Sequence, residues 1–161
     1  DFSGLRLGIN SCRPKGEGTV CFTSPNAGAA PSVRVNYRER EDDRDEALAM
    51  ARLIERLMAT PALTGIPADE PVTPLDKMDD DAVLADFRQR GGTVFHLCGT
   101  CRMGPDAASS VVDSRLRVHG VEGLRICDAS AFPNITSANT NAPTMMLAHR
   151  AAGMILQDGQ R

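Results

Sequence analysis

The sequence has no long apolar run and no excess of basic residues, and each absence argues against one class of protein. Although 42% of its 161 residues are hydrophobic, no stretch approaches the roughly 20 apolar residues of a membrane-spanning helix. The formal net charge is -3, so the chain lacks the basic footprint of nucleic-acid-binding proteins. We therefore expect neither a membrane span in this segment nor a nucleic-acid partner.

Cysteine is too sparse for a disulfide framework. The chain has five cysteines, an odd number for its length, whereas small secreted domains carry dense, even sets. Cys98 and Cys101 nevertheless form a Cys-x-x-Cys just after His96, a pattern that could be a redox pair or half of a metal site. No second Cys-x-x-Cys completes a zinc-binding spacing. A thiol or metal-binding module using these three residues is therefore kept as an alternative function.

Hydrophobic patterning predicts an α+β fold, with an antiparallel sheet and packed helices. Alternating apolar residues indicate strands at 5–9, 19–23 and 33–35, and we expect the first two to pair across a turn-rich segment. Apolar residues spaced three and four apart predict a helix that begins at Asp42 and ends before Pro61. A second, short helix is predicted from Asp79 to Arg90, with two glycines directly after its end. Between these helices, Pro-rich residues 60–77 predict a loop.

The last third of the chain predicts further strands and one more helix. Residues 93–95, 110–121 and 124–128 have strand-like patterns, and Asp128 closes the last of them. From Asn141 a capping residue, a first-turn Pro143 and helically spaced apolar residues predict a helix whose final residues, 157–161, fray. The start of such a helix can hold anionic charge, although an ordinary capped surface helix fits the same pattern.

Three linked motifs make the chain recognisable. Residues 96–104 read His-x-x-Gly-Thr-Cys-Arg-Met-Gly, residues 111–130 contain Val-Val-Asp-Ser-Arg-Leu-Arg-Val-His-Gly and Leu-Arg-Ile-Cys-Asp-Ala-Ser, and residues 139–146 read Asn-Thr-Asn-Ala-Pro-Thr-Met-Met. Their order and spacing resemble the C-terminal part of the glucose-methanol-choline (GMC) oxidoreductases, most closely the choline dehydrogenase-like alcohol dehydrogenases of that family. Residues 1–94 resemble the family's substrate domain more loosely.

The resemblance implies that this chain is one part of a longer protein and that another part binds most of the FAD. Family members bind FAD mainly through an N-terminal Rossmann-like half that carries Gly-x-Gly-x-x-Gly, a fingerprint that this sequence lacks. We therefore expect a C-terminal part whose partner is the N-terminal FAD-binding part of the same protein. Residues 1–109 would belong to the substrate domain, while residues 110–161, with the final strand and helix, would return to the FAD-binding domain.

The resemblance also implies a reaction. An alcohol would lose its hydroxyl proton to a base and its carbon-bound hydrogen as hydride to flavin N5. His96 matches the family's catalytic histidine, and a histidine suits proton transfer because the unperturbed pKa of an imidazole lies near neutral pH. Asn141 matches the second active-site position, where an amide can donate to the substrate oxygen but cannot act as a base. Asn141 could instead serve as the helix cap.

The remaining site residues are expected to contact FAD. Asn141, Ala142, Pro143 and Thr144 resemble the segment beside the flavin pyrimidine ring, where a helix start stabilises negative charge. Asp128 and Ala129 resemble the family's flavin-contacting pair, although Asp128 could simply cap the strand end. The substrate is then a small-molecule alcohol, and the electron acceptor is not defined by these residues. A lyase on the same fold is a further alternative.

Overall fold

The computed structural model describes residues 7–65 and 74–160, which form helices and one antiparallel pair of strands. The elements are β1 (Thr19–Cys21), β2 (Ser32–Arg34), α1 (Glu41–Met58), α2 (Pro61–Thr64), α3 (Asp80–Arg90) and α4 (Asn141–Asp158), with short 3-10 helices at Leu75–Lys77 and Ala129–Ala131. The prediction of mixed helices with an antiparallel sheet is confirmed. The described residues fall into two units, one of residues 7–11, 15–18, 35–65 and 74–94, the other of residues 12–14, 19–34 and 95–160.

Helices α1 and α3 organise the first unit. Ala47 and Ala51, four residues apart and hence on one face of α1, are buried, as is Val83 of α3. The Asp79 side chain caps α3 by accepting from the Ala82 amide at 2.8 Å. Arg52 of α1 donates to Asp80 at 3.0 Å and so ties the two helices together. Both helix predictions are confirmed.

The predicted pairing of strands 5–9 and 19–23 is wrong in its described part. Residues 7–10 are not extended into a sheet, and residues 5 and 6 lie outside the described residues. The turn-rich segment that was to join the strands bonds elsewhere, because the Lys15 and Gly16 amides both donate to the Asp43 carboxylate at 2.7 Å. In the second unit β1 pairs instead with β2, with Val20 opposite Val33.

The predicted loop at 60–77 is interrupted by short helices. Proline at the first helical position starts α2, where its missing N–H costs nothing, and Leu75–Lys77 forms a single 3-10 turn. Residues 66–73 of this loop lie outside the described residues.

The core of the second unit comes from segments that are far apart in sequence. Its buried residues are Val112, Leu116, Ala131, Phe132, Leu147 and Ala151. Cys98, Met103, Ile126 and Ala129 are among the partly buried residues packed against them. The core therefore joins α4 to the loops that precede it.

The strands predicted between residues 93 and 128 do not form. Phe95 has a φ of 61° and is 83% exposed, so 93–95 is not an extended approach to His96. Residues 110–128 contribute only isolated bridges, such as Arg117 to Arg125. The Asp113 carboxylate accepts from the Arg115 and Arg117 amides, and this turn puts Leu116 in the left-handed region at φ 63°.

Helix α4 begins at Asn141 as predicted, but it extends further than predicted at its other end. The helix continues to Asp158, whose carboxylate pairs with Arg115 at 2.8 Å and also with Arg125. The expected fraying from residue 157 is therefore wrong for Asp158, which is fixed by two arginines. Within the described ranges, 7–65 and 74–160, every helix is too short or too polar to cross a membrane.

Candidate active site

Backbone hydrogen bonds fix the loop at residues 96–104 against the 3-10 helix Ala129–Ala131. The Cys101 amide donates to the Ser130 carbonyl at 3.0 Å, and the Met103 amide donates to the Ala131 carbonyl at 2.9 Å. Gly99 makes the close approach possible, because it has a φ of 88° and an added Cβ would lie 3.4 Å from the Phe132 carbonyl oxygen. Two of the three sequence motifs are thereby joined.

The third motif, residues 139–146, is connected to the 96–104 loop by the side chain of His96. Its Nδ1 lies 3.0 Å from Oγ1 of Thr140, the residue just before α4. Thr140 is only 7% exposed, and its carbonyl accepts from both the amide and the hydroxyl of Thr144, at 3.0 and 2.7 Å. The imidazole is therefore held at the start of α4 by a residue that is itself fixed. No partner for Nε2 is found in the described part of the chain.

The start of α4 carries the predicted cofactor-contacting residues. Asn141 and Ala142 are exposed, while Pro143 and Thr144 are half-buried. The predicted helix cap at Asn141 is wrong, because Asn141 is already the first helical residue. The preceding residue, Thr140, has helical dihedrals and makes no side-chain capping bond, since its hydroxyl bonds His96. The helix therefore begins with amides that the side chain of Thr140 does not cap.

Asp128 acts as a cap within the chain. Its Oδ1 accepts from the Ser130 amide at 2.8 Å and from the Ser130 hydroxyl at 2.5 Å, and this bond starts the 3-10 helix. The sequence left open whether Asp128 caps or contacts flavin, and the structure contains the cap. Ala129, the other predicted flavin-contacting residue, is half-buried against the core.

The two cysteines of the Cys-x-x-Cys are both free thiols and half-buried. Burial raises the pKa of the Cys98 thiol, and the nearby Arg102 guanidinium opposes only part of this effect. A raised pKa keeps Cys98 protonated and hence a weak nucleophile and metal ligand at neutral pH. Among residues 7–65 and 74–160 there is no cluster of three or more His, Cys, Asp or Glu side chains that could hold a metal ion.

Comparison with known proteins decides the family. A family model described as GMC oxidoreductase matches residues 14–148. The chain belongs to the GMC oxidoreductases. It is 39% identical over 153 residues to an oxygen-dependent choline dehydrogenase of Chromohalobacter salexigens, covering 94% of this chain and 27% of that protein. It is 36% identical over 154 residues to an alcohol dehydrogenase (acceptor) of Pseudomonas putida, covering 96% of this chain and 28% of that protein.

The fold of this GMC chain is also found in solved structures. An FAD-dependent oxidoreductase from Chaetomium thermophilum aligns with a TM-score of 0.77 and 26% identity, over 89% of this chain and 25% of that one. The chain thus spans about a quarter of the length of the curated relatives that it matches.

Sequence reasoning missed one residue of the site in this GMC chain. Thr140 was part of the recognised Asn-Thr-Asn-Ala-Pro motif, yet no role was expected for it. The available signal was a hydroxyl residue just before a predicted helix, in the position that a cap often occupies. That signal suggests a cap, whereas the hydroxyl is used to hold His96.

Proposed function

We propose that this chain is the histidine-bearing part of an FAD-dependent oxidoreductase that oxidises an alcohol CH–OH group, with His96 as the base. The observation that carries the proposal is the 3.0 Å contact between His96 Nδ1 and Thr140 Oγ1, which holds an imidazole at the uncapped start of α4. Membership of the GMC family and the alcohol and choline dehydrogenases among its relatives support the reaction class.

The start of α4 fits a flavin. Because the side chain of Thr140 does not cap the helix, the amides of Asn141 and Ala142 remain available as donors, and the helix dipole is positive there. Such a start would hold an electron-rich group, and the pyrimidine edge of a flavin is one that it would fit. Pro143 suits the same turn because it adds no further N–H that would need a partner. When bound, FAD would supply the acceptor, at N5, for the hydrogen that leaves the alcohol carbon as hydride.

His96 would take the hydroxyl proton at Nε2. An imidazole is neutral over much of the range near pH 7 and can therefore accept a proton there. Its Nδ1 is engaged by Thr140, so Nε2 is the nitrogen left for a substrate. As the proton leaves, the electron pair of the O–H bond stays on the substrate oxygen. The negative charge on this oxygen makes transfer of hydride from the carbon more favourable.

Asn141 would stabilise the substrate oxygen. It follows Thr140 directly in the chain, it is exposed, and it is not used as a helix cap. An amide N–H can donate to an oxygen on which negative charge develops, and this is a common way to lower such a barrier. Asp128 and Ala129 would contact the flavin from the 3-10 helix that lies against the His96 loop, with Asp128 keeping Oδ2 available while Oδ1 caps.

The rest of the site would come from the remainder of the protein. We propose that residues 110–161 complete an FAD-binding domain whose Gly-x-Gly-x-x-Gly part lies elsewhere in the protein, and that residues 1–109 contribute to the substrate domain. His96 and α4 share one compact unit, so on this proposal that unit brings the base of one domain to the flavin of the other. The small-molecule alcohol would lie between His96 and the flavin.

Replacement of His96 by Gln in the intact, flavin-loaded protein tests the proposal. Loss of a general base typically costs about 10²- to 10⁴-fold, so we expect kcat to fall by this factor while flavin absorbance is retained. His149→Gln is the matched control, because His149 is an exposed histidine on α4. The activity would be measured as alcohol-dependent reduction of oxygen or an artificial acceptor. Wild-type turnover by His96→Gln would refute the role of His96.

A further inference from the structure

The hydrogen-bond partner of Nδ1 of His96 is a hydroxyl group, not a carboxylate or a carbonyl. Thr140 Oγ1 lies 3.0 Å from Nδ1. A carboxylate or carbonyl only accepts hydrogen bonds and would fix the histidine tautomer by itself, whereas a hydroxyl can donate or accept. The two arrangements have opposite consequences, because the nitrogen that carries the proton cannot also act as the base.

We infer that Thr140 is a positioning residue, whose hydroxyl accepts from the Nδ1–H of His96 and so keeps the Nε2 lone pair directed towards the substrate. This inference rests on the proposed role of His96 as base. If Thr140 donated instead, Nε2 would carry the proton and could not accept one from an alcohol. On this assignment, the hydroxyl of Thr140 determines which nitrogen of His96 can accept the proton of the alcohol.

The backbone of Thr140 is suited to this task because it cannot easily move. Its carbonyl receives two bonds from Thr144, and the residue is almost completely buried. Leu147 and Ala151, further along α4, are part of the core of the unit. A buried acceptor on a fixed helix start restricts the imidazole more than an exposed one would, since a ring that rotates away leaves a buried hydroxyl with one bond fewer.

The chain contains a second histidine with the opposite arrangement, and this serves as an internal reference. His119 Nε2 lies 3.3 Å from the Gly104 carbonyl, which only accepts, and 3.2 Å from Ser110 Oγ. The Ser110 hydroxyl itself donates to the Asp106 carbonyl, so it accepts from His119. His119 is therefore a donor at Nε2, whereas we assign His96 as a donor at Nδ1.

Nitrogen NMR of the intact, flavin-loaded protein with 15N-labelled histidine tests the inference without relying on activity. Signals would be assigned from their loss in His96→Gln and His119→Gln. At a pH at which both imidazole rings are neutral, we expect His96 to be protonated at Nδ1 and His119 at Nε2 in the same sample. A wild-type His96 protonated at Nε2 would overturn the inference, whatever the activity.

Substitutions at Thr140 add a kinetic test. Thr140→Val removes the acceptor at similar volume, so we expect His96 to shift towards the Nε2–H tautomer and kcat/KM to fall about five- to tenfold, the loss of one hydrogen bond. Thr140→Ser keeps the hydroxyl and should restore both the tautomer and kcat/KM to within about twofold. Thr136→Val is the control, because it removes a hydroxyl that bonds the Ala138 carbonyl in the same loop.

The outcomes separate the two proposals. Thr140→Val with the wild-type tautomer and kcat/KM would show that Thr140 does not position His96. If Thr140→Val does not fold, the inference is decided by the tautomer of His96 in the wild type and by the tautomer and kcat/KM of Thr140→Ser. An intact protein that oxidises no alcohol would refute the proposed function, while the tautomer measurement would still confirm or overturn the direction that we assign to the hydrogen bond between Thr140 and His96.

Discussion

Thr140 lies where a side chain often stabilises a helix, but its hydroxyl bonds a histidine instead. A side chain in its position commonly caps the helix that follows, and such a cap contributes about 1 kcal/mol. In this chain the hydroxyl bonds His96 instead, so α4 begins without a side-chain cap. The missing cap leaves the first amides of the helix as donors for a ligand. A small loss in helix stability is thus compatible with the function that we propose for this end of α4.

The proposed role of Asn141 leads to a prediction in which activity and stability separate. We expect Asn141→Ala in the intact protein to lower kcat/KM about 100-fold, because the amide would donate to the developing charge on the substrate oxygen. Thermal stability should be unchanged or slightly higher, since Asn141 is exposed and Ala is the better helix former. Steady-state kinetics and a melting curve on the same preparation measure both effects.

Asn139→Ala provides the matched control for this prediction. Asn139 is an exposed asparagine two residues earlier, outside α4. We expect its replacement to leave kcat/KM close to the wild-type value. A lower melting temperature with unchanged kcat/KM in Asn141→Ala would show that Asn141 is structural and would exclude it from the reaction.

At the scale of elements, α4 is fixed along its middle and at its C-terminal end. Leu147 and Ala151 are buried in the core, and Asp158 in the last turn pairs with Arg115 and Arg125. Both arginines come from the irregular segment between residues 110 and 128. The ion pairs therefore connect that segment, which lacks a regular sheet, to a regular helix.

The Asp158 pairs predict a pH-dependent contribution to stability. Burial alone would raise the pKa of Asp158, but Arg115 and Arg125 lower it by more, so the folded pKa lies below the ordinary value. A depressed folded pKa means that the stabilisation is fully present above the unfolded pKa, about 3.9, and is lost as the pH falls through the folded pKa. Because these side chains are partly solvated, salt should weaken the effect.

Asp158→Asn tests this element of the fold. We expect a lower melting temperature than wild type at pH 7, and a difference that shrinks as the pH falls below about 4. Glu122→Gln is the control, because Glu122 is an exposed acid in the same unit. A difference in melting temperature that stays constant between pH 7 and pH 3 would show that the charge of Asp158 does not stabilise α4.

The sequence predicted the helices far better than the strands. Apolar spacing with clear breakers, such as Pro61 and the residues before Asn141, depends on neighbours in the chain, and so α1, α3 and the start of α4 could be predicted. Strand pairing depends on distant partners. The Lys15 and Gly16 amides, in the turn between the first two predicted strands, bond to Asp43 instead of closing a hairpin. In the predicted strand at 110–121, Leu116 lies in a left-handed turn.

The candidate site shows the same limit of local patterns. The order of the three motifs predicted the family, which the comparison confirms for residues 14–148. The residues that touch could not be predicted from their spacing, because His96 and Thr140 are 44 positions apart. Nor could the sequence tell a capping hydroxyl from one that binds an imidazole, since the same residue types do both.

At the scale of the whole molecule, this chain is one portion of the proposed enzyme. It covers about 27% of the length of the choline dehydrogenase that it resembles. One compact unit contains the His96 loop, the 3-10 helix with Asp128 and Ala129, and α4. We therefore expect the chemistry to require the intact protein, in which the other contacts to FAD and to the alcohol would be supplied.

The most direct test of the account is anaerobic mixing of the intact, flavin-loaded protein with a panel of small alcohols, choline among them, followed by the visible flavin absorbance. We predict that at least one alcohol bleaches the flavin rapidly in the wild type and about 10²- to 10⁴-fold more slowly in His96→Gln. A purified intact protein that binds no flavin would contradict the account. So would flavin that no alcohol bleaches while a substrate is nevertheless converted, which would indicate a lyase rather than an alcohol oxidoreductase.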